Sequence, residues 1–174
     1  MSTAADGTIE NKVKQSDKLV TLDLQQYWDD TPVHGLDLKD FLVEGLMLKE
    51  EVFRECIDNY DWKQHRGAYL AVHCSTDAII SKWAWMLVAA RAAGSARDVL
   101  TGRPRDVRTE LYRRQLEEVD WERFRDKFVI LKGCSSKEKP VPESVYLYAS
   151  TRLVPLVKKL MYGEACSNVP VYRG

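Results

Sequence analysis

The sequence predicts an α/β fold, a mainly parallel sheet flanked by helices and built from an internally duplicated helix-strand-helix-strand unit. Two observations carry this. The runs "YLAV" (Tyr69–Val72) and "FVIL" (Phe128–Leu131) are continuous and apolar, as strands buried on both faces are, and each stands between stretches of helical periodicity. Moreover, "EVFRECIDNYDWKQHRGAYLAV" (Glu51–Val72) lies over "ELYRRQLEEVDWERFRDKFVIL" (Glu110–Leu131) without a gap. Glu51/Glu110, Arg54/Arg113, Asp61/Asp120, Trp62/Trp121 and Arg66/Arg125 are identical pairs. Two unrelated amphipathic helices would not share the Asp-Trp step.

The elements follow in order. Residues 1–16 are small and polar and read as a flexible tail, leaving 17–174 as a single α/β domain with pseudo-repeats at about 43–104 and 105–166. "KLVTLDL" (Lys18–Leu24) is a predicted strand, and "DDTPVHG" (Asp29–Gly35) a loop. Val52, Phe53, Cys56 and Ile57 recur at helical spacing, as do Leu111, Tyr112, Gln115 and Leu116. After "YLAV", Thr76 and Asp77 are expected to cap a helix through Trp83–Ala92. "DVLTG" (Asp98–Gly102) and "KLMYG" (Lys159–Gly163) are apolar segments ending in glycine, the second expected as the last strand. "TGRPRD" (Thr101–Asp106) has too few glycines to cradle phosphate and reads as a turn between the copies. Pro142 suits the first turn of a helix near Glu143, and Pro155 should kink or end it. The aromatic stretches "KWAWML" and "YLYASTRLVPLV" are expected to pack in the core, with a homodimer face as the alternative.

Composition narrows the function. At 174 residues with 45% hydrophobic side chains, the chain can bury about two-thirds of its unfolded surface without staples. The 26 basic and 26 acidic residues cancel, which argues against nucleic acid as a partner. The longest apolar run, "WAWMLVAA" (Trp83–Ala90), is far short of the roughly 18 residues of a membrane span. The N-terminal residues lack a secretory pattern, so the expected location is cytoplasmic, where thiols stay reduced.

Three of the four cysteines are followed by serine: Cys74, Cys134 and Cys166. Cys74 and Cys134 come directly after the predicted strands "YLAV" and "FVIL", at the edge where α/β sheets bind ligands. Helix N-termini there favour the thiolate, the form that binds metal. No C-x-x-C or H-E-x-x-H is present, so zinc or an iron–sulfur cluster would have to use widely spaced ligands. Asp77 and Glu164 are candidates for a fourth position. His73 ranks below them, because adjacent strand residues point to opposite faces. Cys56, on an apolar helix face, reads as packing. Two alternatives stay open: a thiol-dependent sulfur (persulfide) transfer protein using Cys166 or Cys134, and a structural homodimer with buried cysteines. The C-x5-R phosphatase pattern is excluded by Ile80 and Pro140. Whether the protein is an enzyme is left open by the sequence.

The segments "GLMLKEEVFRE", "DWKQHRGAYLAVHCSTDAIISKWAWML", "VILKGCSS", "PVP" and "MYGEACSNVPVY" resemble domain-of-unknown-function family 2480, a bacterial family of the Bacteroidetes type without an established activity. The resemblance runs from about Lys12 to Arg173. Cys74, Cys134, Cys166, Asp77 and Glu164 match its pattern, whereas His73 and Cys56 fall at variable positions. "KEKPVP" (Lys137–Pro142) is slightly longer than the family's spacing. Members are often encoded beside iron–sulfur cluster assembly components. The resemblance therefore implies a cluster or metal carrier, or a persulfide acceptor, with iron–sulfur assembly proteins as partners.

Overall fold

The computed structural model of the chain describes residues 18–133 and 136–174. The expected tail over 1–16, and Cys134 itself, lie outside the described residues. The elements are β1 (Leu19–Leu22), β2 (Val33–Asp37), α1 (Glu50–Asn59), β3 (Tyr69–His73), α2 (Lys82–Ala92), β4 (Asp98–Thr101), α3 (Pro104–Glu117), β5 (Phe128–Lys132), α4 (Glu143–Leu153), β6 (Lys159–Glu164) and β7 (Ser167–Arg173). The class is α/β as expected, but the strands form two small sheets, not one. The first has the order β1-β5-β6-β7 and the second β2-β3-β4. Every pairing between these strands is parallel except β6 with β7.

The chain divides into two compact units. One is Asp29–Tyr112, and the other joins the described part of Met1–Trp28 to Arg113–Gly174. In the Asp29–Tyr112 unit, β3 is the middle strand and Tyr69, Leu70, Ala71 and Val72 are all buried. Leu70 and Val72 pack with Phe53 and Ile57 of α1 and with Ala84, Val88 and Ala92 of α2. Tyr69 and Ala71, on the opposite face of the strand, pack with Val107 and Leu111 of α3. This two-sided burial is why the strand reads as one apolar run. In the other unit β5 lies between β1 and β6, with Val129, Ile130 and Leu131 buried, as are Val145, Ala149 and Leu153 of α4. The spacing of four along α2 and along α4 puts each trio on a single helix face.

The repeated Asp-Trp step has a local explanation. Asp61 and Asp120 each begin a short 3₁₀ turn, accepting the N–H of Lys63 and of Glu122. The indole N–H of Trp62 donates to the Ile57 carbonyl at 2.9 Å, and that of Trp121 to the Leu116 carbonyl at 3.2 Å. Those carbonyls lie in the last turns of α1 and α3, where no intrahelical N–H is available. One dipeptide thus starts the turn and satisfies the helix it leaves. Gly67 and Asp126 then take positive φ, +73° and +61°, before the strands begin.

Several sequence expectations change. Strand β2 starts at Val33, inside the expected loop. It is an edge strand, so the missing N–H of Pro32 is not needed, and the Pro32 carbonyl accepts from the Tyr69 N–H at 2.9 Å. Helix α2 begins only at Lys82, with Ser81 before it, so Thr76 and Asp77 do not cap it. The segment Thr101–Asp106 is not merely a turn, since α3 starts at Pro104. The final strand is β7, not β6. β7 carries Pro170 on the open edge of its sheet, where proline is tolerated. Glu143 begins α4 with Pro142 before it, and the helix ends ahead of Pro155, both as expected. Among the described residues no helix is long and apolar enough to cross a membrane.

Candidate functional site

Cys74 sits half-buried just past the carboxyl end of β3. Its Sγ is 3.4 Å from Thr76 Oγ1, while that hydroxyl donates to the Gly45 carbonyl at 2.8 Å. Thr76 has one proton and has committed it, so toward sulfur it only accepts. The turn after Cys74 is pinned by Asp37, the last residue of β2, whose Oδ1 accepts the N–H of Ser75 at 3.0 Å and of Lys39 at 3.1 Å. Burial by itself would raise the Asp37 carboxyl. The hydrogen bonds from Ser75 and Lys39 and the nearby His73 outweigh it and hold the group below its ordinary value. His73 Nε2 is 3.8 Å from Asp37 Oδ2, so His73 is turned to the aspartate that ends the neighbouring strand.

Asp77 is exposed. No helical turn carries it back toward Cys74, because α2 starts five residues later than Asp77, at Lys82. Cys56 packs against the core of its unit, in line with its reading as a packing residue.

The other candidates belong to the second unit. Glu164 and Ser167 are register partners, which makes Ala165 and Cys166 the two residues at the tip of the β6–β7 hairpin. Cys166 is exposed, so in the chain by itself it is not a buried packing residue. Cys134 is outside the described residues, but Gly133 before it is fixed. The Gly133 N–H donates to the Gly163 carbonyl at 3.2 Å, and the Tyr162 hydroxyl donates to the Gly133 carbonyl at 3.1 Å. The chain therefore leaves β5 toward Cys134 beside the point where β6 reaches Glu164. A Cβ at Gly133 would lie 3.0 Å from the Tyr162 ring, so a larger residue here would have to displace that ring.

At the same sheet edge lies a cleft of about 490 Å³, walled by Leu131, Gly133, Val141, Tyr146, Leu147 and Tyr162, with Glu143 at the start of α4 also lining it. The Tyr146 and Tyr162 rings meet edge to face at 5.6 Å, and Tyr146 donates to the Lys132 carbonyl. The aromatic floor is thus anchored to the strand end that precedes Cys134.

Of the five predicted ligands, Cys74 and Asp77 fall in one unit, and Cys166 and Glu164 in the other. Among the described residues, no group of three or more His, Cys, Asp or Glu side chains is placed to hold a metal ion.

Sequence reasoning missed one polar constellation. His65 is 3% exposed, and its ring nitrogens meet His34 Nδ1 at 3.2 Å and the Tyr60 hydroxyl at 2.9 Å. Burial and the neighbouring His34 push its pKa down, partly opposed by Asp61. In the gapless alignment His65 falls on Phe124 and Tyr60 on Val119. The polar-for-apolar exchange was the signal available in the sequence.

No curated protein and no solved structure matches the chain. The family model described as protein of unknown function (DUF2480) matches residues 7–174, nearly the whole length, and the chain belongs to that family.

Proposed function

We propose that the protein binds a metal ion or iron–sulfur cluster through thiolates, with Cys74, Cys134 and Cys166 as ligands and Asp77 or Glu164 at the remaining position. Its role would be accessory to iron–sulfur cluster assembly or metal handling, with assembly proteins as partners. The observation that supports this best is the bond from Gly133 to Gly163. It fixes Gly133, the residue before Cys134 in the sequence, beside Gly163, the residue before Glu164 and three before Cys166. Soft thiolates with one oxygen donor suit zinc or iron–sulfur species.

The place of Cys74 in the set rests on a second proposal, that the two units descend from one duplicated segment. The order strand, 3₁₀ turn, helix, 3₁₀ turn, strand, helix, strand occurs from β2 to β4 and again in β1, its 3₁₀ turn, α3, its 3₁₀ turn, β5, α4 and β6, with α3 running across the boundary at Tyr112 and Arg113. The Cys-Ser step follows the middle strand each time. Glycines with φ of +125° and +131°, Gly102 and Gly163, end β4 and bend β6.

The test is alkylation of each cysteine followed by mass spectrometry, on zinc- or iron-loaded and chelator-treated protein. The proposal expects Cys74, Cys134 and Cys166 to be protected together by metal, with Cys56 reacting at the same rate in both. Unchanged rates at all four cysteines overturn it. A second reading, sulfur transfer, draws on the exposure of Cys166 at the hairpin tip. A carrier of that kind tolerates loss of at least one of the three thiols.

A further inference from the structure

The edge of the β1-β5-β6-β7 sheet where the parallel strands begin concentrates positive charge. The carbonyls of Lys18, Lys127 and Lys158 accept from the N–H groups of Phe128, Lys158 and Gly174 at 2.7, 2.9 and 3.0 Å, which sets the three lysines in one row across the strand starts. In the next row, Phe128 is the register partner of Lys159, and Lys159 of Arg173. Phe128, Lys158, Lys159, Arg173 and Gly174 line a cleft of about 520 Å³. None of Lys18, Lys127, Lys158, Lys159 or Arg173 makes an ion pair with a described residue.

Lys159 and Arg173 face each other across an antiparallel pair, where like charges repel. The chain has no overall basic excess to account for the cluster, since its formal charge is zero. Nor does this type of strand edge require it. The corresponding edge of the β2-β3-β4 sheet has Pro32, Ala68 and Arg97 where this one has Lys18, Lys127 and Lys158, and Asp98 in place of Lys159; its one cation among these, Arg97, is engaged, donating to Thr31 Oγ1 at 2.8 Å and lying over the Tyr69 ring. Lysine and arginine converging beside an aromatic ring are suited to phosphate oxygens with a planar group against the ring.

We propose that this cleft binds a small organic polyphosphate, its phosphates held by Lys158, Lys159 and Arg173 and its planar group resting on Phe128. The site does not depend on the cysteines. The test is calorimetric titration of the full chain with ADP and with inorganic pyrophosphate, at low and at physiological salt. The expected result is one saturable site per chain that weakens as salt rises. Binding should fall at least tenfold in the Lys159→Ala/Arg173→Ala variant and in the separate Lys158→Ala variant, and stay unchanged in Lys82→Ala, an exposed lysine of α2. ADP should bind more tightly than pyrophosphate in the wild type, and Phe128→Ala should remove that advantage. Absence of saturable binding at millimolar ligand overturns the proposal. So does equal binding by wild type and both cation variants, each first shown by circular dichroism to be folded.

Discussion

His73 stands 3.8 Å from Asp37, and Lys132 stands 2.8 Å from Asp23. In both units the basic residue ending the middle strand meets an aspartate at the end of the first strand. The same aspartate begins a 3₁₀ turn, Asp37 accepting from Lys39 N–H and Asp23 from Gln25 N–H. Each therefore ties two adjacent strands together at the edge where the Cys-Ser step follows.

Asp37→Ala removes the acceptor for two backbone N–H groups, those of Lys39 and Ser75, and should destabilise the protein by about 1–3 kcal/mol. Asp37→Asn keeps an acceptor oxygen and should lose less. The Asp37 carboxyl sits below its ordinary value of 3.8, so its contribution is complete above that pH and lost as pH falls through the lowered value. Urea unfolding of the wild type and Asp37→Asn at neutral pH and near pH 3 should show the gap between them narrowing in acid.

Trp62→Phe and Trp121→Phe keep the ring packing and remove only the indole N–H donated to Ile57 and Leu116. Each should cost about 1 kcal/mol in unfolding free energy. Since the bonds serve different helices in different units, the double variant should show the sum of the single losses, read by denaturant titration.

His65→Phe copies Phe124. It leaves the Tyr60 hydroxyl and His34 Nδ1 without the partner they have now, and should cost about 1–2 kcal/mol near pH 8. Because the His65 pKa is held below 6.5 in the folded chain, the unfolded state takes the proton first. Stability from this group is therefore full above about pH 6.5 and declines as pH falls toward the lowered value. Thermal melts between pH 8 and pH 5 should show a shallower decline in His65→Phe than in the wild type.

Gly163→Ala and Gly67→Ala separate crowding from backbone conformation. At Gly163 φ is +131° and a Cβ would lie 2.5 Å from the Ser167 carbonyl oxygen, whereas at Gly67 φ is +73° with nothing within 4 Å. Gly67→Ala should cost about 1 kcal/mol. Gly163→Ala should cost clearly more and disturb the hairpin that carries Cys166, seen as a changed alkylation rate at that thiol.

The class of the fold was legible because burial leaves a pattern in the sequence. "YLAV" and "FVIL" are strands packed on both faces, and the Asp-Trp steps mark two helix ends. Strand β2 was not legible: Pro32 and Gly35 read as a loop, and only an edge position makes Pro32 acceptable. β7 was hidden in the same way by Pro170. The helix cap assigned to Thr76 failed because the helix begins only at Lys82, with Ser81 at its N-cap. The positions of Cys74 and Cys134 after middle strands could be read from the flanking runs. The cleft lined by Tyr146 and Tyr162 could not, since it depends on Gly133 being small enough for a ring from the neighbouring strand.

Anaerobic purification of the full chain without a metal-binding tag, followed by a visible spectrum and elemental analysis for iron, zinc and acid-labile sulfide, tests the thiolate site most directly. A shared thiolate site gives stoichiometric zinc, or iron with sulfide, in the wild type and in Cys56→Ser, lost in each of Cys74→Ser, Cys134→Ser and Cys166→Ser. Wild-type protein that is metal-free as purified and takes up neither zinc nor a reconstituted cluster would contradict it.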